Sequence, residues 1–370
     1  MRSPLGIHRA ALNYCPKLQS HRGPAFALPV AARGFYAPVA AAQPLDCHAL
    51  SPAEPHRSFP MTAAVEISAI ICTHNRAAYL GAAIDSLLAQ DCPSFEAIVV
   101  DNASTDGTRA IVEARLGDPR LRYVYEATPG LSIARNTGAR EAKAEILAYL
   151  DDDAVATPQW LRVLLAAYRT DDRLAIAGGR VTLLWPPGRS QPPWLSEGLT
   201  APLGAYDLGT EPRAIANPGD TPRGLNYSLR RQFLDRVGGF DPNLGRVGKR
   251  LLSNEELMMT ELALKDGWHV TYLPDALVAH NVAPERLQRR WFLERGWWQG
   301  ISECYREQLT GRAGLRQIPL GAERILRGLY KTLKYWRNPA LRFDNFVYAY
   351  GQLGYLLAAI SGLLRRPRPS

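Results

Sequence analysis

Residues 66–150 alternate short apolar runs with amphipathic stretches, and this alternation constrains the fold more than any other feature of the sequence. We predict strands at residues 67–72, 95–100, 121–125 and 145–150, and helices at 77–90, after the turn at 102–107, and at 132–143. Strands that alternate with helices of this length form right-handed βαβ units. The sequence therefore predicts an α/β fold with a mostly parallel sheet flanked by helices.

The pattern becomes less regular after residue 150. Residues 181–223 are rich in Pro, Gly and Trp and lack a period, which indicates a long functional loop. We predict helices at 228–237 and 254–265, a strand at 269–273 and an aromatic, Arg-rich helix from residue 284. Residues 65–310 are predicted to form one domain with two halves, 65–178 and 179–310.

The two ends of the chain differ from this domain. Residues 1–64 are rich in Ala, Pro, Arg and His without a period, so they are either disordered or an extension upstream of a start at Met61. Residues 311–370 are basic and apolar, and the run 346–364 contains no charged side chain. That run is near the length of a bilayer span, but a helix that lies in the membrane interface or packs on the domain also fits.

The distribution of charge argues against nucleic acid as a partner. The formal net charge is +9, but the surplus lies in the first 60 and last 50 residues, and the middle of the chain is close to neutral. A nucleic-acid-binding protein would carry its basic groups on the folded face. Basic ends suit an enzyme held at an anionic membrane. We therefore expect a cytoplasmic protein at the inner face of the plasma membrane, with peripheral contact through its C-terminal tail.

Three adjacent carboxylates, Asp151, Asp152 and Asp153, follow the fourth predicted strand. Adjacent carboxylates repel one another at a strand end unless a cation neutralises them. Oxygen ligands suit a divalent ion, and Mg²⁺ keeps coordination positions that substrate phosphates fill. The cluster predicts a Mg²⁺ or Mn²⁺ site with a diphosphate partner, and a solvated acidic loop is the alternative.

Polar side chains also follow the first two strands. Asp101 ends the second strand, where an acidic residue accepts hydrogen bonds from the ribose or base in other nucleotide-binding folds. We predict that a nucleotide with a diphosphate is bound by side chains from the loops after these strands, from the following helix and from the acidic cluster: Thr73, Asn75, Arg76, Asp101, Ser104, Asp106, Arg135 and Asp152. A charge on the helix surface is the alternative for Arg135.

Glu255 and Glu256 open a predicted helix about 100 residues after the aspartates. The helix dipole favours the charged form of a carboxylate at this position. Either one is a candidate general base for deprotonating a sugar hydroxyl, and ordinary first-turn residues are the alternative. His280, further along, is either a metal ligand or a structural hydrogen-bonding residue.

The order of these motifs resembles family 2 glycosyltransferases of the GT-A fold. The resemblance covers residues 66–280 and rests on residues 72–76, Asp101 with Ser104 and Asp106, residues 130–138 around Arg135, Asp151 to Asp153, residues 238–241, Glu255 with Glu256, and residues 274–276 leading to His280. It implies a GT-A-type, Rossmann-like sheet with a C-terminal helical extension.

The resemblance also implies roles. Asp151, Asp153 and His280 would hold Mg²⁺ or Mn²⁺, and Glu256 would stand where the family usually has an Asp base, which leaves Glu255 and Glu256 as alternatives. Processive members carry a QxxRW signature, which residues 288–291 do not match, so single-sugar transfer is expected. One base without an opposed nucleophile implies inversion. Other motifs resemble a bacterial subgroup that acts in exported polysaccharide synthesis.

The sequence thus predicts transfer of a sugar from a nucleotide-diphosphate sugar to a glycan or lipid-linked acceptor. A non-catalytic nucleotide-sugar or carbohydrate-binding protein on the same fold is the alternative. A dinucleotide-dependent oxidoreductase is disfavoured, because no GxGxxG follows the first strand.

Overall fold

The computed structural model describes residues 64–248, 250–311 and 317–365. The expectations for residues 1–63 lie outside this part of the chain. The strands are β1 Ile67–Thr73, β2 Phe95–Asn102, β3 Leu121–Glu126, β4 Ile146–Asp151, β5 Ala154–Ala156, β6 Leu174–Leu184, β7 Arg213–Ala214, β8 Asn226–Arg230 and β9 His269–Asn281. The helices are α1 Ala77–Leu88, α2 Thr108–Glu113, α3 Leu131–Glu141, α4 Trp160–Thr170, α5 Arg231–Val237, α6 Glu255–Lys265, α7 Arg289–Leu309, α8 Gln317–Lys334 and α9 Pro339–Arg365.

The strands form one sheet in the order β3-β2-β1-β4-β8-β6-β9-β5, with β7 beside β9. The first half is parallel throughout, since β1 pairs with β2 and β4, and β2 pairs with β3. β1 and β2 are almost completely buried, as expected for central strands covered by helices on both faces. The predicted α/β architecture with flanking helices and a C-terminal helical extension is confirmed.

The second half of the sheet is mixed, and here the helix predicted at 228–237 is wrong at its start. β8 is a strand that runs antiparallel between β4 and β6, and α5 begins only at Arg231. Tyr227 and Leu229 are buried in the core on this strand. Pairing of this short segment with β4 and β6 outweighs its local preference for helix.

β9 is longer than the predicted strand at 269–273, because it continues past Pro274 through a bulge. Its pairing with β6 shifts register between Gly179 and Val181, which stand opposite Leu273 and Val278. A Cβ on Gly179 would lie 1.9 Å from the carbonyl oxygen of Ala276, so only glycine fits opposite the bulge. The extension carries β9 to His280.

The predicted loop at 181–223 is wrong at its beginning, because β6 continues to Leu184. The remainder contains two short 3₁₀ helices, Gly198–Leu203 and Pro218–Asp220, and the two-residue strand β7.

The C-terminal helices form a layer of their own, in which α9 packs against α7 and α8. Glycines permit the close crossing of α7 and α9, since a Cβ on Gly300 would lie 1.9 Å from the Gly351 carbonyl oxygen. Trp194, Phe292 and Phe343 form edge-to-face ring contacts that tie α9 to the loop after β6. Among the described residues, no helix combines the length and apolar character needed to cross a bilayer.

Candidate active site

The carboxyl ends of β1, β2 and β4 bring the first predicted site residues together. In the strand registers Thr73 stands opposite Asp101, and Cys72 stands opposite Asp151. Thr73 and Asp101 are both buried. Three segments separated by tens of residues thus converge on one edge of the sheet, where parallel α/β sheets bind ligands.

Asp151, Asp153 and His280 form a cluster whose potential ligand atoms all lie within 4.8 Å of one another. His280 reaches the aspartates because β5 pairs antiparallel with β9, which places Ala154 opposite His280. Burial and the charge of Asp153 raise the pKa of Asp151. The buried Asp153 carboxylate, the partly exposed Asp151 carboxylate and an imidazole nitrogen are a donor set that suits a divalent cation, so these residues fit the predicted metal.

Nitrogen atoms of three side chains surround Asp153. Its carboxylate lies 3.0 Å from His280 Nε2, 3.1 Å from an Arg286 nitrogen and 3.6 Å from Arg76 Nη2. Burial opposes ionisation, but His280, Arg286 and Arg76 outweigh it and hold the pKa of Asp153 well below its usual range. Asp153 therefore remains ionised, as a metal ligand must be.

Asp152, which was predicted to contact the nucleotide sugar, differs from its two neighbours. It is buried, and burial together with the charges of Asp153 and Asp151 raises its pKa to about 8. The three adjacent aspartates thus have different environments, and a role for Asp152 in donor binding stays a prediction.

Arg135 forms a buried ion cluster with both candidate bases. Its Nη1 lies 3.2 Å from Glu255 Oε1 and 3.0 Å from Glu256 Oε1, and its guanidinium lies over the rings of Phe240 and Tyr149. Burial disfavours the charged form of Arg135, but the carboxylates of Glu256 and Glu255 outweigh it and raise its pKa. Asp151 acts on the same guanidinium. Arg135 therefore connects the acidic edge of the sheet with the start of α6.

The two glutamates occupy different surroundings. Glu255 is 4% exposed, its Oε2 has no hydrogen-bond partner, and burial and the charge of Glu256 raise its pKa to about 7. It lines a cavity of about 260 Å³ formed by residues 237–244 and the inner face of α6. Glu256 is 17% exposed. Of the two, Glu256 is thus the more accessible to a substrate.

Gly224 lets the loop before β8 approach this ion cluster closely. A Cβ at this position would lie 1.7 Å from Glu256 Oε1 and 2.3 Å from Arg135 Nη2. Any side chain would displace both groups. Residue 224 therefore helps to fix the orientation of the Glu256 carboxylate.

The loops after β1 and β2 are held to each other by side chains that were predicted to bind the donor. Asn75 accepts from Thr105 N, and its own N–H donates to Ser104 Oγ. Asp106 accepts from Ala77 N, which begins α1, and from Thr108 N, which begins α2. These bonds give Asn75, Ser104 and Asp106 a structural role, and their contact with a donor stays a prediction.

Asp101 is held in the same region. Ser104 N–H donates to its Oδ1 at 3.0 Å, and the Tyr123 hydroxyl donates to its Oδ2 at 2.8 Å. The contact with Tyr123 is a feature that sequence reasoning missed. It fixes the carboxylate at the tip of β2, and each oxygen keeps a lone pair for a nucleotide.

Several site residues carried no signal in the sequence. Arg286 lies in the 3₁₀ helix Pro284–Leu287, within a segment that was predicted only as an Arg-rich helix. The same holds for residues that surround Glu256 and Glu255 from three separate elements, namely Arg223, Gly224, Arg246 and Arg295. Their proximity depends on tertiary structure, and their spacing matches no motif.

A mixed α/β sheet with this acidic edge is the architecture of GT-A glycosyltransferases, and comparison with known proteins agrees. Residues 68–229 match the family model for Glycosyl transferase family 2. Over these residues the chain is therefore similar to family 2 glycosyltransferases.

Individual relatives are more distant. The chain is 27% identical over 255 residues to glucosyl-dolichyl phosphate glucuronosyltransferase of Haloferax volcanii, covering 67% of this chain and 80% of that protein. It is 40% identical over 106 residues to validoxylamine A glucosyltransferase of Streptomyces hygroscopicus, but this covers 28% of this chain and 25% of the relative. A solved mannosyltransferase from Pyrobaculum calidifontis, in complex with GDP-Man and Mn²⁺, superimposes with a TM-score of 0.50 at 20% identity, covering 83% and 77% of the two chains.

Proposed function

We propose that the protein is an inverting, metal-dependent glycosyltransferase that moves a single sugar from a nucleotide-diphosphate sugar to a glycan or lipid-linked acceptor. One observation carries the proposal: Asp151, a member of the Asp151, Asp153 and His280 cluster, acts electrostatically on Arg135, which pairs with Glu256. A cation site and a positioned carboxylate are the two parts that displacement at an anomeric carbon requires.

Asp151, Asp153 and His280 are the residues that would hold Mg²⁺ or Mn²⁺. When bound, such an ion supplies positive charge to a diphosphate leaving group. His280 Nδ1 is buried without a hydrogen-bond partner, and a Cβ on Gly204 would lie 2.9 Å from it, so the ring is closely packed. This packing fixes the ring orientation that the cluster depends on.

Glu256 is the general base in this proposal. It takes the proton of the acceptor hydroxyl on its carboxylate while the acceptor oxygen attacks the anomeric carbon and the nucleotide diphosphate leaves. Arg135 holds the carboxylate in place through the 3.0 Å contact. A single base without an opposed carboxylate nucleophile gives inversion, by the geometric logic that separates the two glycosidase classes.

The donor would bind between the loops after β1 and β2 and the acidic edge. Thr73 and Asp101 lie side by side there, and Arg76 lies 3.6 Å from Asp153 as a cation available to phosphate oxygens. The solved mannosyltransferase of similar fold binds GDP-Man and Mn²⁺. Its ligands support a nucleotide-sugar donor for this chain.

The class of acceptor is inferred from the relatives that the chain resembles. One of them is named for action on a glucosyl-dolichyl phosphate, which is a lipid-linked sugar. This supports a lipid-linked acceptor, in keeping with the resemblance to the bacterial polysaccharide subgroup.

Thermal-shift measurements on the full chain test donor and metal together. We expect a nucleoside diphosphate or its sugar to raise the melting temperature only with Mn²⁺ or Mg²⁺, and Asp153→Asn to abolish the metal-dependent part. Asp171→Asn is the matched control, because Asp171 pairs with exposed His269 away from the cluster. Metal-independent stabilisation by every nucleotide would contradict the proposal.

Glu256→Ala separates an enzyme from a non-catalytic binding protein. A non-catalytic binding protein would keep its ligand affinity in this variant, whereas the enzyme would lose turnover of the donor.

Peripheral membrane contact is part of the proposal, and α8 supports it. Leu326, Tyr330 and Leu333 are 68%, 65% and 75% exposed, and their spacing of four and three residues places them on one face of the helix. Trp336 follows at 65% exposure. The cations Arg327, Lys331 and Lys334 lie beside this face, where they complement anionic lipid headgroups.

Sedimentation with vesicles tests this contact. The full chain should sediment with vesicles that contain anionic phosphatidylglycerol and much less with neutral phosphatidylcholine vesicles, and Leu333→Glu should weaken binding at least tenfold. Leu116→Glu is the control, since Leu116 is an exposed leucine of the donor half. Equal binding by Leu333→Glu, or loss of a dimer in light scattering instead, would contradict a lipid partner.

A further inference from the structure

His280 lacks the second hydrogen bond that usually orients a metal-binding histidine. Its Nε2 faces the predicted metal cluster and lies 3.0 Å from Asp153 Oδ1. Its Nδ1 is buried and, within the described part of the chain, has no hydrogen-bond partner. Metal-binding histidines usually donate this second N–H to a carboxylate, a carbonyl or water, which fixes the ring. The orientation of His280 therefore depends on the residues that pack against its ring.

The backbone at Gly204 packs against that ring. A Cβ on Gly204 would lie 2.9 Å from His280 Nδ1 and 3.3 Å from His280 Cε1. Gly204 has a φ of +106° and ends the 3₁₀ helix Gly198–Leu203, where its N–H donates to Ala201 O. A shift of this 3₁₀ helix therefore moves the backbone that touches His280.

Asp344 of α9 holds the beginning of the same 3₁₀ helix. Ser196 Oγ donates to Asp344 Oδ2 at 2.9 Å and accepts from Leu199 N at 3.1 Å. Ser196 thus caps the 3₁₀ helix while it is bound to α9, and it is buried. A Cβ on Gly198 would lie 2.9 Å from Asp344 Oδ2, so a side chain there would displace the carboxylate.

An apolar cluster joins these elements as well. Leu203 of the 3₁₀ helix, Phe343 of α9 and Val282 of the chain just after β9 belong to one buried cluster. Trp194, which precedes the 3₁₀ helix, makes an edge-to-face contact with Phe343 at a centroid distance of 5.3 Å. Close-packed clusters of this kind transmit displacements. Side-chain and backbone contacts therefore run without a gap from α9 to the His280 ring.

We propose that Asp344 is a positioning residue for the metal site. Through Ser196 and the 3₁₀ helix it holds the Gly204 backbone against His280, so the affinity for the metal depends on α9. This inference rests on the proposed function and adds the C-terminal helices to the parts that the metal site requires. Packing against the ring does here what a hydrogen bond to Nδ1 does in other histidine sites.

Titration of the full chain with Mn²⁺ alone, followed by the electron paramagnetic resonance signal of the free ion, tests this role. We expect Asp344→Ala to weaken Mn²⁺ binding about tenfold, the lower limit for loss of an interaction that orients a metal-binding histidine. Asp344→Asn keeps an acceptor oxygen for the Ser196 hydroxyl and should bind Mn²⁺ within about twofold of wild type. Asn345→Ala is the matched control, because Asn345 is the next residue of α9 and its amide donates to Leu341 O of the same helix.

Gly204→Ala tests the contact at the ring itself. The added Cβ displaces His280, so Mn²⁺ binding should weaken by about tenfold or more. Gly209→Ala is the control for backbone strain, because Gly209 has a φ of +113° and, among the described residues, no atom lies within 4 Å of the added Cβ. It should bind Mn²⁺ as wild type does.

The contrary results are distinct. Wild-type Mn²⁺ affinity in folded Asp344→Ala overturns the inference, and so does an equal loss in Asp344→Asn, which would assign the effect to charge. Unchanged affinity in Gly204→Ala overturns it as well. If circular dichroism shows that Asp344→Ala does not fold, Ser196→Ala decides: a loss of about threefold supports the inference, and unchanged affinity overturns it. Failure of wild type to bind Mn²⁺ would instead reject the metal site of the proposed function.

Discussion

The two halves of the sheet place their functional side chains in different ways. In the parallel half, Asn75, Asp101, Ser104 and Asp106 end a strand or lie in the loop after it, and their partners come from a neighbouring strand or loop, as with Asp101 and Tyr123. In the mixed half, contacts join distant parts of the chain: Arg135 meets Glu255 across 120 residues, and Asp153 meets Arg286 across 133. The parallel half is built from local βαβ units, whereas the mixed half depends on the assembly of the whole domain.

Removal of the proposed general base is the change with the largest expected effect on activity. Glu256→Gln should lower the turnover number by about 100- to 10,000-fold, the range for loss of a general base, while donor affinity changes little. Glu255→Gln should cost less than about tenfold, because that carboxyl is buried against the cavity beside α6. Initial rates at saturating donor measure both. A larger loss for Glu255→Gln would exchange the roles of the two residues.

Gly224→Ala tests whether the close approach of the backbone at residue 224 positions the Glu256 carboxylate. The added Cβ would lie 1.7 Å from Glu256 Oε1, so the carboxylate must shift. A displacement of about 1 Å costs up to about 100-fold in rate, and we expect a loss of that order in kcat with little change in the donor KM.

Gly219→Ala in the same loop is the control, since its Cβ would lie 3.4 Å from the nearest atom, Asn217 Oδ1. If Gly224→Ala retains wild-type kcat, the close approach does not orient Glu256.

The same contrast explains what the sequence could predict. The strand ends that carry Thr73, Asp101 and Asp151 follow from local periodicity, because a parallel sheet brings carboxyl ends of strands together. The end of β8, residues 228–230, was predicted as helix, because a five-residue buried strand has no periodicity that distinguishes it from a helix. Arg286 and Arg295 were missed because an arginine in an aromatic helix looks like a surface charge until α7 is docked.

The pH dependence of the free energy of unfolding tests how the fold surrounds Glu255. Its pKa is raised from 4.5 to about 7 in the folded protein, so its contribution to the free energy of unfolding falls as pH rises from about 4.5 to 7 and is constant above. Glu255→Gln cannot ionise at this position, so its stability does not fall with pH for this reason. It should gain about 3 kcal/mol relative to wild type at pH 8, the free energy of the full shift, in which the effect of Arg135 is already included.

Urea unfolding at pH 5 and pH 8 measures the difference, and at pH 5 the two proteins should be within about 0.5 kcal/mol. A constant difference between the two pH values would show that Glu255 titrates normally in the fold.

The smallest effect is expected in the parallel half, at Asp106. Its carboxylate accepts hydrogen bonds from the first N–H groups of both α1 and α2, so Asp106→Ala should lower the free energy of unfolding by about 1 kcal/mol, as for loss of an N-cap. Asp106→Asn keeps one acceptor oxygen and should lose about half as much, with nucleotide affinity in the presence of Mn²⁺ unchanged within about twofold. Asp91→Ala, at an exposed pair with Arg162, is the control. If Asp106→Asn instead lost tenfold in nucleotide affinity at nearly full stability, the carboxylate would be a donor ligand, and the loops of the parallel half would bind substrate directly in addition to holding each other.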